Sequence, residues 1–335
     1  MYRLFNLKRD GTQYDVTNLV SKISWEGDIY QTARQLNVDM IFSDDYYTPK
    51  YEVDLGSRLI LKNDDIEIMD AFVFTVPKSH NNTISIDAYD GLIYLLKSKA
   101  TKIVKNISVT QFIKSICEEF EITMGSIPEI PLIITQIFRD MTPYDMIIKA
   151  LSEAAKRTES KYQVSMKEGK LVIIDRSINT PKWKIKTGSN LIHAALTQSI
   201  EEMQNKIVIT GSNDQILAIK QKDELISQYG LLQGQYKEQC KSLTDAELIG
   251  ERYLEEHGKV SKTLTIESIG IDDIRAGDAV IIEDERLGLN GIFNVTRDIH
   301  NVENGVHKMN LDLSYIDQEA DTSEVINLEY RNRDY

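Results

Sequence analysis

Short runs of β-branched and aromatic residues, alternating with polar ones, fill the first 95 residues of the chain. Val, Ile, Phe, Tyr and Thr favour extended backbone, and several such runs separated by polar turns are typical of a small antiparallel barrel or sandwich. The predicted strands are 14–17, 36–42, 58–61, 72–76 and 83–86. The pattern therefore predicts a first β-barrel domain over residues 1–97.

The period changes to a helical one between about residues 98 and 182. Ser108 and Gln111 form a capping-box pair, and the helix that they open should end near Glu121. Thr142-Pro143 is a second start, because it places a capping hydroxyl before a proline at the first helical position. Residues 162–166 and 170–175 then predict a hairpin. We expect an α+β domain inserted at 98–182.

Strand-type pattern returns from residue 183 to residue 318, with one strand at 206–210 and the others after Thr263. The polar, glutamine-rich stretch 212–240 is predicted to be a long surface loop or arm. A helix is predicted over 244–257, opened by Thr244 and its capping partner Glu247, stopped at Gly258 and packed on the barrel. The acidic tail 319–335 lacks any period, so we expect no regular structure there.

A weak internal repeat relates the two β regions. Leu55-Gly56-Ser57 followed by 58–61 matches Ala276-Gly277-Asp278 followed by 279–282, an offset of 221 residues. Each copy continues through a turn, a strand, a loop with a histidine (His80 and His300) and a closing strand of period two. Two similar barrels in one chain would give six similar barrels in a trimer, which is the geometry of an adaptor between threefold and sixfold objects. The predicted ring strands are 58–61 and 279–282.

Composition limits the partners more than the fold. The 335 residues contain 41% hydrophobic and 27% charged residues, as in ordinary globular proteins. The formal net charge of −13 argues against general nucleic-acid binding and against binding to anionic membranes. No stretch approaches the roughly 20 apolar residues of a membrane span, so no membrane insertion is expected. Cys117 and Cys240 lie in unrelated contexts and indicate neither a disulfide nor a zinc site.

No motif indicates catalysis, and the sequence assigns no catalytic, cofactor-binding or metal-binding residue. His300 and His307 flank the turn Asn304-Gly305, so facing strands could bring them to one metal ion, but packing within the hairpin is the favoured interpretation. Gly211-Ser212-Asn213-Asp214 lacks a nucleophile-elbow frame and is interpreted as a turn. Trp25 could stack on a ligand, although packing at a barrel end is preferred. Acidic pairs are interpreted as solvated faces. These pairs are Asp44-Asp45, Asp64-Asp65, Glu118-Glu119, Glu255-Glu256 and Asp272-Asp273, and Glu283-Asp284-Glu285 lacks the spacing of a calcium loop.

Several of these stretches, in the same order, resemble the XkdQ-type baseplate hub proteins of contractile phage tails, which are related to the late control protein D group. The similar stretches, which together span about residues 20 to 315, are 24–28, 33–36, 87–96, 205–211, 229–233, 274–280, 291–295 and 307–311.

The resemblance implies a homotrimeric hub at the tip of a phage tail or of a phage-tail-like bacteriocin, a tailocin. Its barrels would imitate the tail tube protein, so that the trimer matches the sixfold tube on one side and the threefold central spike protein on the other. Other baseplate proteins and the tape-measure protein are further expected partners. The particle would be made in the host cytoplasm. No cofactor and no enzymatic activity are expected; the alternatives are a tail-associated cell-wall hydrolase and a carbohydrate- or receptor-binding module.

Overall fold

Antiparallel strands dominate the computed structural model, which describes residues 1–29, 33–41, 51–77, 83–158, 160–176, 179–237 and 242–315. The predicted acidic tail 319–335, together with His80, Cys240 and Asp44-Asp45, lies outside these residues. The mainly β, α+β fold class predicted from the sequence is confirmed. The domain limits at residues 97, 182 and 318 stay predictions.

The first β region consists of seven strands around one apolar core. The strands are β1 (Tyr2–Leu7), β2 (Gln13–Asp15), β3 (Val20–Asp28), β4 (Gln35–Ile41), β5 (Arg58–Asn63), β6 (Ile66–Thr75) and β7 (Thr83–Tyr89). They pair antiparallel in the order β3-β4-β7-β6-β5-β1-β2. Alternate residues of these strands are buried together, as the period of two requires; they include Leu4, Trp25, Leu36, Val38, Leu59, Leu61, Ala71 and Ile86.

The inserted α+β region follows its sequence signals closely. Its elements are α1 (Leu92–Lys97), β8 (Ala100–Ser108), α2 (Val109–Glu119), β9 (Ile133–Met141), α3 (Pro143–Thr158), β10 (Tyr162–Lys167) and β11 (Lys170–Asp175). The capping box is present, since the Ser108 hydroxyl accepts from the Gln111 N–H and the Gln111 side chain accepts from the Ser108 N–H, both at 3.2 Å. The Thr142 hydroxyl accepts the Asp145 N–H at 3.0 Å. Both predicted helix starts are therefore confirmed.

The remaining elements divide between the second β region and a smaller unit. They are β12 (Trp183–Lys186), β13 (Leu191–Ser199), β14 (Lys206–Thr210), β15 (Ile216–Gln221), α4 (Asp223–Tyr229), β16 (Gln233–Lys237), α5 (Leu243–His257), β17 (Ser261–Ile269), β18 (Ala279–Asp284), β19 (Leu289–Glu303) and β20 (Val306–Tyr315). In the second β region the strand order is β13-β17-β20-β19, with β18 paired to β19 and β12 added parallel to β18.

The internal repeat predicted from the sequence is present in the hydrogen bonds. The Gly56 N–H donates to the Val73 carbonyl at 2.8 Å, and the Gly277 N–H donates to the Val295 carbonyl at 2.8 Å. Both glycines have positive φ, +73° and +94°, which side-chain-bearing residues rarely adopt. The return bonds match too, from Val73 N–H to the Ser57 carbonyl and from Val295 N–H to the Asp278 carbonyl, at 2.9 and 2.8 Å. The β5-β6-β7 and β18-β19-β20 meanders are therefore copies of one motif.

The predicted ring strands 58–61 and 279–282 are wrong. β5 is hydrogen-bonded to β1 and β6, and β18 is hydrogen-bonded to β12 and β19, so both rows of backbone groups of each strand are already used. Within the described part of the large sheet, the strands with only one neighbour are β2, β12 and β13. These are the strands whose backbone could pair with another chain.

Residues 195–264 form a separate compact unit with its own core. Its three-stranded sheet has β14 in the centre, β15 antiparallel on one side and β16 parallel on the other, and α5 packs on β14 and β15. The prediction of a long loop over 212–240 is wrong, because β15, α4 and β16 lie within it. The apolar run 216–219 was the sequence signal for β15.

Helix α5 differs from its prediction at its start and in its packing. It begins at Leu243, because the Ser242 hydroxyl caps it by accepting the Asp245 N–H at 3.1 Å, and Thr244 lies inside the helix. The end at Gly258 is confirmed. The sequence placed both this helix and strand 206–210 in the second barrel, but they pack on each other in the small unit. A capping pattern fixes where a helix starts only when no earlier hydroxyl competes for it.

Candidate functional site at the seam of the two repeats

The two β regions are joined edge to edge. Strands β3 and β19 pair antiparallel from Asp28 opposite Arg297 to Lys22 opposite Glu303. Because β3 also pairs with β4, and β19 with β18 and β20, one 13-stranded sheet runs through both repeats. We call the β3–β19 pairing and the side chains packed across it the seam.

A buried ion pair crosses the seam. The Arg34 guanidinium holds both carboxylate oxygens of Asp298, with 2.9 Å between Nη1 and Oδ1, and Asp298 is fully buried. The Ala276 N–H donates to the same Oδ1 at 2.6 Å. Burial alone would raise the pKa of the Asp298 carboxyl, but Arg34 and the hydrogen bond with His300 outweigh it and hold this pKa well below its usual range. Asp298 is therefore a carboxylate at every physiological pH.

Two further arginines bind across the seam. Arg275, from the turn before β18, donates from Nη2 to the carbonyl of Ile68 on β6 at 2.9 Å. Arg297 on β19 donates to Glu26 on β3 at 2.7 Å. Arginine suits these positions because its planar guanidinium can make directed bonds to carbonyl and carboxylate oxygens from a partly buried site.

Polar side chains continue the seam towards the chain's first strand. His300 Nε2 lies 3.0 Å from the Ile274 carbonyl, and His300 Nδ1 lies 3.0 Å from His307 Nε2. His307 Nδ1 lies 2.7 Å from the Tyr2 hydroxyl, which donates to Asp272 Oδ1 at 2.5 Å. Four hydrogen bonds thus form an unbroken row between two repeats.

The Trp25 ring packs against the side of this row of hydrogen bonds. It lies opposite His300 in the strand register, and the two rings stack with 4.8 Å between their centres and 4° between their planes. Only 2% of Trp25 is exposed. It is therefore a packing residue, as preferred from the sequence, and it cannot be an open stacking platform for a carbohydrate.

The inserted region also contacts the seam. Gln163 on β10 donates to the Ala276 carbonyl at 3.0 Å, Arg176 pairs with Asp278 at 2.8 Å, and Asn179 donates to the Gly277 carbonyl at 2.9 Å. The repeat's glycine turn before β18 is thus held by the insert as well as by its own strand.

A small cavity of about 20 Å³ lies where the three regions meet, lined on its polar side by Arg34, Asp70, Asp90, Glu168 and Arg275. Asp90 Oδ1 accepts the Leu92 N–H at 3.0 Å, while its buried Oδ2 has no hydrogen-bond partner. Burial raises the pKa of Asp90 to about 7. Backbone hydrogen bonds with Leu92 and Arg34, and the positive charges of Arg34 and Arg275, oppose this rise.

The residues considered from the sequence as catalytic or metal-binding candidates lie in different parts of the structure. His300 and His307 do come together, but among the described residues no group of three or more His, Cys, Asp or Glu side chains is placed to hold a metal ion. Ser212 lies in a turn closed by the Gly211 N–H and the Gln215 carbonyl. Cys117 is buried in the insert, where burial raises its pKa to about 11. Among the acidic pairs that the structure describes, Asp272 is the one member built into the seam.

Sequence reasoning missed Arg34, Asp298 and Tyr2 as seam residues. One signal was present: Asp298 and His300 occupy the inward positions of β19 that continue to the apolar Val302. An acid and a histidine at apolar-face positions of a strand indicate a buried polar contact with a partner elsewhere. No helix in the described part of the chain is both long and apolar enough to cross a membrane.

Comparisons of the sequence and of the structure with known proteins identify relatives of this chain. The YqbQ-like family profile matches residues 23–314. The chain is 28% identical to uncharacterized protein YqbQ and 27% identical to phage-like element PBSX protein XkdQ, both of Bacillus subtilis, over 88% of this chain and 92% of each relative. The 43 kDa tail protein of prophage MuSo2 from Shewanella oneidensis shares the fold, with a TM-score of 0.68 and 14% identity over 93% of this chain and 98% of that one.

Proposed function

The chain belongs to the YqbQ-like family, and from this premise we propose that it is a structural protein of a phage tail or phage-tail-like particle and forms the hub of its baseplate. The printed names of relatives support the tail assignment: one is a protein of the phage-like element PBSX and two of similar fold are tail proteins. We propose no enzymatic role. The protein would be made in the bacterial cytoplasm and would end in the assembled particle.

The finer proposal is a homotrimer that adapts a sixfold tube to a threefold spike. The observation that carries it is the repeated motif, in which Gly56 and Gly277 make the same backbone bonds at the same point of two meanders. Three chains would present six copies of this motif around one axis. The tail tube protein would face these copies, and the central spike protein, other baseplate proteins and the tape-measure protein complete the proposed contacts.

The seam gives this proposal its mechanical basis. A force on one repeat reaches the other through the backbone hydrogen bonds of β3 and β19 and through the buried Arg34–Asp298 pair. Since these contacts are continuous, the two repeats of one chain would move together as one rigid segment of the proposed ring when the tail contracts.

The test is the mass of the protein in solution, measured by light scattering over a concentration series with and without the tail tube protein, followed by electron-microscopy averages of the largest species. We expect a threefold ring with six similar lobes. A chain that stays monomeric at every concentration, and also with the tube protein, would contradict the proposal.

A matched pair of variants tests the placement of β18 in the core. Val280→Asp places a charge at a fully buried position of β18 and should abolish folding and particle yield. Ile292→Asp, on the neighbouring strand at a position 44% exposed, should leave the monomer folded. Unchanged particle yield with Val280→Asp would count against the placement of this strand.

A further inference from the structure

The histidine pair at the seam uses every ring nitrogen. His300 contacts the Ile274 carbonyl through Nε2 and His307 through Nδ1; His307 contacts Tyr2 through its other nitrogen, and Tyr2 contacts Asp272. Both rings are therefore fixed in orientation, and the row contains four hydrogen bonds.

With both imidazoles neutral, the groups in this row carry too few hydrogens to form its four hydrogen bonds. The row ends in two groups that can only accept, the Ile274 carbonyl and the Asp272 carboxylate, so each of the four bonds needs a hydrogen from the groups between them. Two neutral imidazoles and one tyrosine hydroxyl carry three hydrogens. The row is complete only when one more proton is present.

We propose that the seam is a proton-binding site, in which His300 and His307 together hold one extra proton and carry one positive charge. The alternative carrier, Asp272, is less basic than imidazole by more than two pH units in its unperturbed state. Its other oxygen already accepts from the Asn63 amide at 2.7 Å, which favours the carboxylate. This inference is independent of the proposed function.

Within the pair the extra proton resides on His300. Burial, followed by the nearby His300 charge, lowers the pKa of His307 to about 4, against the opposite pull of Asp272. With His300 as the cation, each bond runs in one direction: His300 donates to Ile274 and to His307, His307 donates to Tyr2, and Tyr2 donates to Asp272.

The charged groups around the pair balance this single charge. Asp298 Oδ2 lies 3.4 Å from His300 Nε2, and Asp272 Oδ1 lies 3.3 Å from His307 Nδ1. Arg34 neutralises Asp298, so Asp272 is the counter-ion of the extra proton, while Tyr2 on β1 and Trp25 on β3 contribute uncharged rings. A second extra proton would put a hydrogen on both His300 Nδ1 and His307 Nε2, so two donors would face each other between the rings. No carboxylate would be left as the counter-ion of this second proton.

The consequence is a seam that is most stable near neutral pH. Two unfolded histidines titrate near pH 6.5. Between about pH 4, the lowered pKa of His307, and pH 6.5 the unfolded chain binds two protons at these residues and the folded chain binds one, so stability rises with pH. Above that upper pH the folded chain keeps one proton and the unfolded chain has none, so stability falls with pH. Away from the maximum this site changes the folding equilibrium up to tenfold per pH unit.

The direct test is the imidazole ¹⁵N NMR spectrum of the labelled full chain at pH 7.5. We expect one ring protonated on both nitrogens, assigned to His300, and a neutral His307. The exposed His193 supplies a reference signal from a ring outside the pair. Two neutral rings in the pair would overturn the proposal, as would two cationic rings.

A conservative variant tests the counter-ion. Asp272→Asn keeps an acceptor for Tyr2 but removes the charge, so it should lower the pair's affinity for the extra proton at least tenfold, seen as deprotonation at least one pH unit lower. The control Asp273→Asn changes the exposed neighbour and should leave the titration unchanged. Equal titration of both variants would refute the role of Asp272.

Discussion

Removal of the Arg34 guanidinium should destabilise the seam far more than removal of a surface cation. In Arg34→Met the Asp298 carboxylate stays fully buried with only the Ala276 N–H and His300 as partners. Removing one partner of a buried ion pair costs about 3 to 5 kcal/mol. The matched control is Lys308→Met, whose exposed pair with Glu267 at 3.0 Å should contribute less than about 1 kcal/mol.

A double-mutant cycle isolates the pair itself. Asp298→Asn keeps the shape and still accepts from Ala276, and with it the Arg34→Met change no longer strands a charge. The two changes should therefore be non-additive by about 2 kcal/mol. Additivity within about 0.5 kcal/mol, or a loss below about 1 kcal/mol for Arg34→Met alone, would refute the reasoning.

Urea unfolding followed by tryptophan fluorescence is a suitable assay. The chain has two tryptophans: Trp25 is buried in the seam, and Trp183 is 39% exposed on β12. In a Trp183→Phe background the signal comes from Trp25 alone, so the transition reports the loss of the seam. The four proteins of the cycle and the Lys308→Met control are measured under the same conditions.

Three further predictions test other parts of the structure. Gly27→Ala on β3 would place its Cβ 2.8 Å from Arg34 Cζ and should lower stability by about 1 to 3 kcal/mol, whereas Gly291→Ala on β19, with its nearest neighbour at 3.8 Å, should be close to neutral in the same urea assay. Because the folded-state pKa of Asp90 is raised to about 7, this carboxyl alone lowers stability as pH rises from about 4 to 7, opposite in sign to the histidine pair. The free energy of unfolding of Asp90→Asn should therefore gain on the order of 3 to 4 kcal/mol relative to wild type over that range, in urea titrations at several pH values. Ser242→Ala should destabilise α5 by about 1 kcal/mol, and Thr244→Ala by much less, in amide hydrogen exchange of the helix.

Local signals in the sequence predicted local structure well. The capping box at Ser108, the Thr142-Pro143 start and the 162–175 hairpin each depend on residues within one or two turns of each other. The repeat was also visible, because a glycine with positive φ is needed at the same point of both copies. Such features are encoded by neighbours in the chain.

The seam could not be derived in the same way. Pairing of β3 with β19 depends on which strand edges are left free after all other strands have paired, and no periodicity records that. The small unit was hidden for a different reason: β16 is a short strand of mostly exposed polar residues with the composition of a loop, and the apolar run of β15 is brief and lies within a polar, glutamine-rich stretch. The inward positions of Asp298 and His300 on β19 indicated that each has a buried polar partner, but not which residue that partner is.

The late position of β19 in the chain has a consequence for biosynthesis. Strand β3 leaves the ribosome about 270 residues before the strand that covers its edge. At 5 to 20 residues per second, that edge waits roughly 15 to 50 s for its partner. An uncovered strand edge invites pairing with other nascent chains. Translation of this protein therefore includes an interval of aggregation risk that ends only when the C-terminal hairpin emerges, and truncation before residue 297 would make that interval permanent.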